Sequence, residues 1–362
     1  MDMAGGSASP SKRGTVRSME PRDVLIDTTP ARQILSLWKS TVRTGSGDGR
    51  TRQMAARIAV SPAYRVMRGF LQDRFLCGAT DEEVARAIEL PDSGICGFGL
   101  DPAYRDQDSI AAILDEVETR GEALRARIAE RVARYLPEGG PWRKTTVWFV
   151  ISSQSMFDAI TMDSLAAAPG GGPVVLVNLT DVLPYGENTR ERVDALEHVL
   201  AHELFHAGMR VIEPGLPGWA PYRSPGDEVA FIAKAMLDEG VAHYIDWRDR
   251  PGSDSLFTWK PSAREVRSFE NLAVAIRNLR RPDVGRTRRN EIAEMAVAGP
   301  TWGKYGAISG MFAAHRIEAA RGRDALRQAV ADGPREFLEV YREVAARNPR
   351  LGRIPADLVA VP

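Results

Sequence analysis

The sequence has no net charge and no long apolar run. Lysine plus arginine number 48, as do aspartate plus glutamate, so no overall field draws the chain to nucleic acid or to an anionic membrane. No apolar stretch reaches the ~20 residues that cross a bilayer, and the N-terminus lacks the apolar core of a secretory signal. We therefore expect a soluble, cytoplasmic protein with no nucleic-acid or membrane partner. The oligomeric state is left open.

Cysteine is scarce. The 362 residues include two cysteines, Cys77 and Cys96, which can form at most one disulfide. Two thiols cannot by themselves build a structural zinc site, which needs four ligands. We expect both to be ordinary reduced thiols.

Composition and periodicity divide the chain into three stretches. Residues 1–25 are rich in Gly, Ser, Pro and basic residues with almost nothing to bury, which predicts a disordered leader. Order is expected from Thr29-Pro30, a helix N-cap followed by proline at the first helical position. Apolar residues then recur at three- and four-residue spacing, which predicts an N-terminal helical region over 26–140. Residues 141–362 form the predicted second domain.

The second domain combines strands with helices. TTVWFVIS at 145–152 and VVLVNL at 174–179 have strand character, and the glycine-rich APGGGP at 168–173 is predicted to be a hairpin or crossover loop. VVLVNL is either an edge strand that pairs with an extended peptide or an interior strand of a small sheet. Helical patterns follow at 190–212, at 227–247 and onward to the C-terminus. The fold class is therefore predicted to be α+β, mainly helical.

The segment with the clearest chemistry is HELFH, an HExxH pattern inside a helical stretch. Four residues advance a helix by about 400°, so His202 and His206 lie on one face and can bind one metal ion. Glu203 lies at the edge of that face, where it can take a proton from the attacking water without binding the metal itself. His198 belongs to the same stripe but is two turns from His206, so we expect it to pack or to support a ligand.

A catalytic zinc normally has three protein ligands, so another ligand must come from elsewhere. No histidine follows His206 until His243, which points to an acid on a later helix. Glu239 is the best candidate, because the adjacent Gly240 lets its helix approach closely. His243, one turn further on, is either a supporting donor or the actual third ligand. Asp238 and Asp246 are candidates for orienting a ligand imidazole, or are ordinary exposed acids.

Residues 198–206 and 237–244 resemble the gluzincin metallopeptidases, HExxH proteases whose third ligand is a glutamate on a later helix. The resemblance implies that His202, His206 and Glu239 bind Zn²⁺, that Glu203 is the general base, and that 141–362 is a zincin-like catalytic domain with a small sheet, an active-site helix and a C-terminal helical lobe. More narrowly, the order of elements and the run from Tyr305 to Met311 look like bacterial zinc-dependent peptidases of that clan. The longer gap before Glu239 implies that EPGLPGWAPYRSPGD loops out.

Hydrolysis of a peptide also needs a donor that stabilises the oxyanion. Because relatives often supply a tyrosine or histidine from the C-terminal lobe, Tyr305 is assigned this catalytic role, with His315 behind it; the alternative is a core tyrosine. We therefore expect a zinc peptidase that acts on a peptide or protein substrate. The alternatives are a zinc hydrolase of a non-peptide amide, and a noncatalytic helical binding protein with a vestigial metal site.

Overall fold

A computed structural model describes residues 19–44, 49–139, 144–163, 171–224 and 227–360. It is mainly helical with a four-stranded sheet, so the predicted α+β class is confirmed. None of the helices in these ranges is long and apolar enough to cross a bilayer. The elements are β1 (Val24–Asp27), α1 (Thr29–Thr44), α2 (Gly49–Ala59), α3 (Pro62–Phe75), α4 (Asp81–Glu89), α5 (Asp101–Arg105), α6 (Gln107–Ala133), β2 (Thr145–Val150), β3 (Ala159–Met162), β4 (Val174–Asn178), α7 (Leu179–Val182), α8 (Thr189–Ile212), α9 (Glu228–Arg248), α10 (Ala263–Leu279), α11 (Arg286–Glu294), α12 (Tyr305–Arg321), α13 (Arg323–Asp332), α14 (Pro334–Ala346) and α15 (Ala356–Val359).

The sheet has the strand order β1-β2-β4-β3. β1, β2 and β4 are parallel, and β3 runs antiparallel to β4 with Ala159 opposite Val177. Every residue of β2 and β4 is buried, because helices cover these central strands. VVLVNL is therefore an interior strand, and its alternative role as a peptide-binding edge is wrong. Residues 171–173 lead into β4, which pairs antiparallel with β3. Residues 168–170 of the predicted loop lie outside the described ranges.

Two short strands were not predicted from the sequence. β1 begins at Val24, inside the stretch predicted to be a disordered leader, and Val24 pairs with Thr145. Residues 1–18 of that leader lie outside the described residues. β3 is four residues long, which is too short for period-two alternation to distinguish it from a loop. β1 nevertheless ties the start of the chain to the sheet, so order begins before Thr29.

Two long helices carry the predicted metal ligands. α8 begins after Asn188, whose side chain accepts a hydrogen bond from the Glu191 amide, and α9 begins after Asp227, which caps Ala230 in the same way. α9 crosses α12 at a pair of glycines: a Cβ on Gly240 would lie 2.5 Å from the Gly310 Cα. The close approach inferred for Gly240 is confirmed, and its partner is α12.

The segment between α8 and α9 does not loop out as the sequence implied. Trp219 is fully buried and its indole N–H donates to the Val330 carbonyl at 2.8 Å. Gly218 lies against Asp332, whose carbonyl oxygen would be 1.8 Å from a Cβ at that position. The segment is therefore packed against the C-terminal helices; residues 225–226 lie outside the described ranges.

The expectation of two free thiols is also wrong. Cys77 and Cys96 form a disulfide with their Cα atoms 5.8 Å apart. The bond joins the end of α3 to the loop after α4. Sequence reasoning could not identify it, because pairing depends on how the intervening helices fold back and not on spacing.

Candidate metal centre and active site

The two histidines of the HExxH segment converge on one point. The Nε2 atoms of His202 and His206 are 3.1 Å apart, and each side chain is 12% exposed. Consecutive turns of α8 place the rings together, as the i, i+4 spacing predicts. The lone pairs of two neutral imidazole nitrogens repel each other at this distance unless a cation or a proton lies between them.

Glu239 on α9 completes a triad with these histidines. Its Oε2 is 3.7 Å from His202 Nε2, and its Oε1 is 3.6 Å from His206 Nε2. Ligand atoms bound to zinc at ~2.0–2.1 Å are separated by roughly 3.4 Å in a tetrahedral site. The two nitrogens and the carboxylate therefore have the spacing of three ligands of one metal ion, and their chemistry suits zinc.

Asp238 orients one of the imidazoles. Its Oδ1 lies 3.1 Å from His206 Nδ1, and its Oδ2 accepts from Lys234 Nζ at 3.2 Å. A hydrogen bond from Nδ1–H to this carboxylate leaves the Nε2 lone pair free for a metal. Burial by itself would raise the pKa of Asp238, but Lys234 and His206 outweigh it and hold that pKa well below its usual range. The prediction that Asp238 supports a ligand therefore agrees with the geometry.

Glu203 lies beside the triad and not within it. Its Oε1 is 4.0 Å from His202 Nε2, and its Oε2 is 2.7 Å from the hydroxyl of Thr161 on β3. Burial raises the pKa of Glu203 to about 7. A carboxyl group with a pKa near neutrality, held next to the metal point by a hydrogen bond, suits proton transfer.

His243 is the third histidine in this cluster. Its donor atom and those of His202 and Glu239 all lie within 4.8 Å of one another. Its ring packs edge to face on His202, with centroids 4.7 Å apart. Two triads can thus be drawn from the same four residues, and the one with His206 is the tighter.

The other two candidates from these helices, His198 and Asp246, have other partners. His198 Nδ1 is 2.8 Å from Arg131 Nη1 and 2.9 Å from the Asp246 carbonyl oxygen, so His198 is a packing residue, as predicted. Burial and the Arg131 charge lower its pKa to about 4. The Asp246 carboxylate pairs with Arg250, and no contact to a ligand imidazole is found in the described residues.

A comparison with known protein families bears on the metal and on the reaction class. A family model described as "Putative zinc dependent peptidase (DUF5700)" matches residues 98–350. The chain belongs to this family. No curated protein and no solved structure shows a significant match. The family match extends from the loop before α5 into the residues after α14, so it includes His202, Glu203, His206, Glu239 and His243, and its description supports a zinc-dependent hydrolase.

Tyr305 does not occupy the oxyanion position predicted for it. Its hydroxyl is buried and donates to the Ile292 carbonyl at 2.5 Å, and Tyr305 is not among the residues that line the cleft. His315 packs among Tyr244 and Phe257. The alternative, a core tyrosine, is the one the structure supports. The neighbouring Lys304 lines the cleft instead, and its charge adds to burial in lowering the pKa of His202.

A cleft of about 1150 Å³ contains the metal point in this member of the family. β3 forms one wall. The Asp158 carbonyl accepts a hydrogen bond from the Asn178 amide at the end of β4. Because successive residues of a strand direct their backbone groups to opposite sides, those of Ala159 and Thr161 point away from β4. Arg210 confirms this direction, because its guanidinium donates to the Thr161 carbonyl from the cleft side at 3.1 Å. The sheet therefore presents an edge strand to the cleft, and that strand is β3.

Proposed function

We propose that the protein is a zinc-dependent peptidase of the gluzincin type, with His202, His206 and Glu239 as the zinc ligands and Glu203 as general base. The convergence of two nitrogens and a carboxylate within 3.1–3.7 Å, beside a buried glutamate, carries the proposal. The family description supports the metal and the reaction class.

Zinc, when bound, polarises a carbonyl group and lowers the pKa of water. Glu203 takes the proton of the attacking water and delivers it to the leaving amine, for which a pKa near 7 is suited. Thr161 holds the carboxyl group through Oε2 and leaves Oε1 facing His202. Lys304 provides a positive charge in the cleft for the oxyanion, which is the role that sequence reasoning gave to Tyr305.

The cleft-facing edge of β3 keeps two backbone groups that suit an extended peptide. The Ala159 carbonyl and the Thr161 amide point toward the cleft, where they can pair with a substrate main chain. A main chain placed there lies next to Glu203, because the Thr161 side chain contacts that residue directly. This observation favours a peptide over a small amide, which has no strand to pair.

The proposal is tested by measuring metal content and peptide turnover on the same samples of wild type and Glu203→Gln. We expect about one zinc per chain in both proteins and turnover only in wild type, with a loss of 10²–10⁴-fold or more in the variant. A peptide library and a set of small amides are assayed in parallel. Turnover of amides alone would support the non-peptide hydrolase, and zinc without any turnover would support a noncatalytic binding protein.

A further inference from the structure

His243 has polar atoms that nothing in the described protein satisfies. The residue is 6% exposed, and neither ring nitrogen has a hydrogen-bond partner among the described residues. A buried polar group without a partner pays the full cost of its lost hydration, so native proteins rarely retain one. By contrast, His198 is similarly buried and its Nδ1 has two polar neighbours. The unpaired ring of His243 therefore indicates a partner that the described residues do not supply.

The position of His243 identifies that partner. Glu239 and His243 are four residues apart on α9, as His202 and His206 are on α8, so each helix directs an i, i+4 pair toward the same point. The donor atoms of His202, Glu239 and His243 lie within 4.8 Å of one another. A separation of 4.8 Å is wider than the roughly 3.4 Å between two ligand atoms of a tetrahedral zinc site. Rotation of the His243 ring about its Cβ–Cγ bond can close the difference.

We propose that His243 is a fourth protein ligand of the metal, which is then held by three imidazoles and one carboxylate. The inference rests on the proposed zinc centre and extends it. With four protein donors on the metal, the attacking water and the substrate carbonyl must either displace His243 or enter as a fifth ligand. His243 would thus tighten metal binding and compete with substrate.

The test uses the full-length protein, freed of metal and titrated with Zn²⁺ against a chelator and with Co²⁺ followed by visible absorption. His243→Phe keeps the ring that packs on His202 but removes both nitrogens, and His315→Phe is the matched control in an aromatic cluster away from the site. We expect His243→Phe to bind metal at least tenfold more weakly and to change the Co²⁺ spectrum, whereas His315→Phe matches wild type.

A measurement on wild type alone needs no variant to fold. In the Co²⁺ protein, the imidazole N–H signals of three histidines should be shifted by the metal; two shifted signals would contradict the proposal. Equal affinities and spectra for wild type and His243→Phe would also overturn it, and would leave a buried water as the partner. If wild type binds no metal, the zinc centre itself is wrong and the proposed function fails with it.

Discussion

The helix pair α8–α9 and the wall of the cleft were assembled in different ways. The helix pair places its ligands through spacing within each helix, so His202 and His206 meet because they are one turn apart. The wall brings together Thr161 from β3, Lys304 from the start of α12, and α3 residues such as Phe70. Local periodicity can therefore bring candidate ligands together, whereas the groups that line the cleft depend on contacts between distant segments.

Substitution at the crossing of α9 and α12 should have the largest effect on stability. A Cβ at Gly310 would lie 1.8 Å from the Met236 carbonyl oxygen, so Gly310→Ala must push the helices apart. We expect a loss of about 4 kcal/mol or more in the free energy of unfolding, measured by chemical denaturation. Gly69→Ala, in the interior of α3 with open space at the Cβ position, is the control and should stabilise by about 0.5–1 kcal/mol. A Gly310→Ala variant that is as stable as wild type would show that the crossing is not tight.

Removal of the disulfide should have the next largest effect on the free energy of unfolding. The bond lies at the end of α3, the helix that contributes Phe70 to the wall of the cleft. Cys77 and Cys96 are 19 residues apart, and closing a loop of this size stabilises by about 3 kcal/mol. Replacing both with serine should lower the free energy of unfolding by that amount, and the variant should not respond to reductant whereas wild type does. Two titratable thiols in unreduced wild type would contradict the bond.

Lys304 and Tyr305 are adjacent in sequence, and their substitution tests which one belongs to the cleft. Lys304→Met should lower kcat by about 100-fold with little change in KM, because an oxyanion contact exists only in the transition state. Lys304→Arg should recover part of the loss. Tyr305→Phe should leave kcat within about twofold and cost about 1 kcal/mol of stability through the lost bond to Ile292. The reverse pattern would return the catalytic role to Tyr305.

The smallest effect concerns His198, one turn before the first ligand on α8. Burial places its folded-state pKa at about 4, below the unfolded value of about 6.5. The unfolded chain therefore binds the extra proton, so this stability is complete above pH 6.5 and is lost as the pH falls toward 4. In denaturant titrations, His198→Gln should reduce the difference in the free energy of unfolding between pH 7 and pH 4 by about 1–2 kcal/mol. An unchanged slope would mean that His198 is protonated in the folded protein.

The expectations from sequence lie nearest to the observed geometry where the residues belong to one helix. HExxH, the Glu239 helix and the close approach at Gly240 all follow from spacing or from the size of one residue. Sequence reasoning failed at β1 and β3, which are only four residues long and are stabilised by neighbouring strands and not by their own pattern. It also failed for Tyr305, because a backbone carbonyl thirteen residues away decides where that hydroxyl points.

The sequence by itself determined that His202 and His206 lie side by side, because a helix repeats every 3.6 residues whatever surrounds it. Only the tertiary structure decided which groups line the cleft. Thr161 reaches Glu203 across 42 residues, Cys77 meets Cys96 through the folding of two helices, and Lys304 lines the cleft whereas Tyr305 does not. Such contacts form when distant segments pack, and packing depends on the whole core, which no short stretch of sequence encodes.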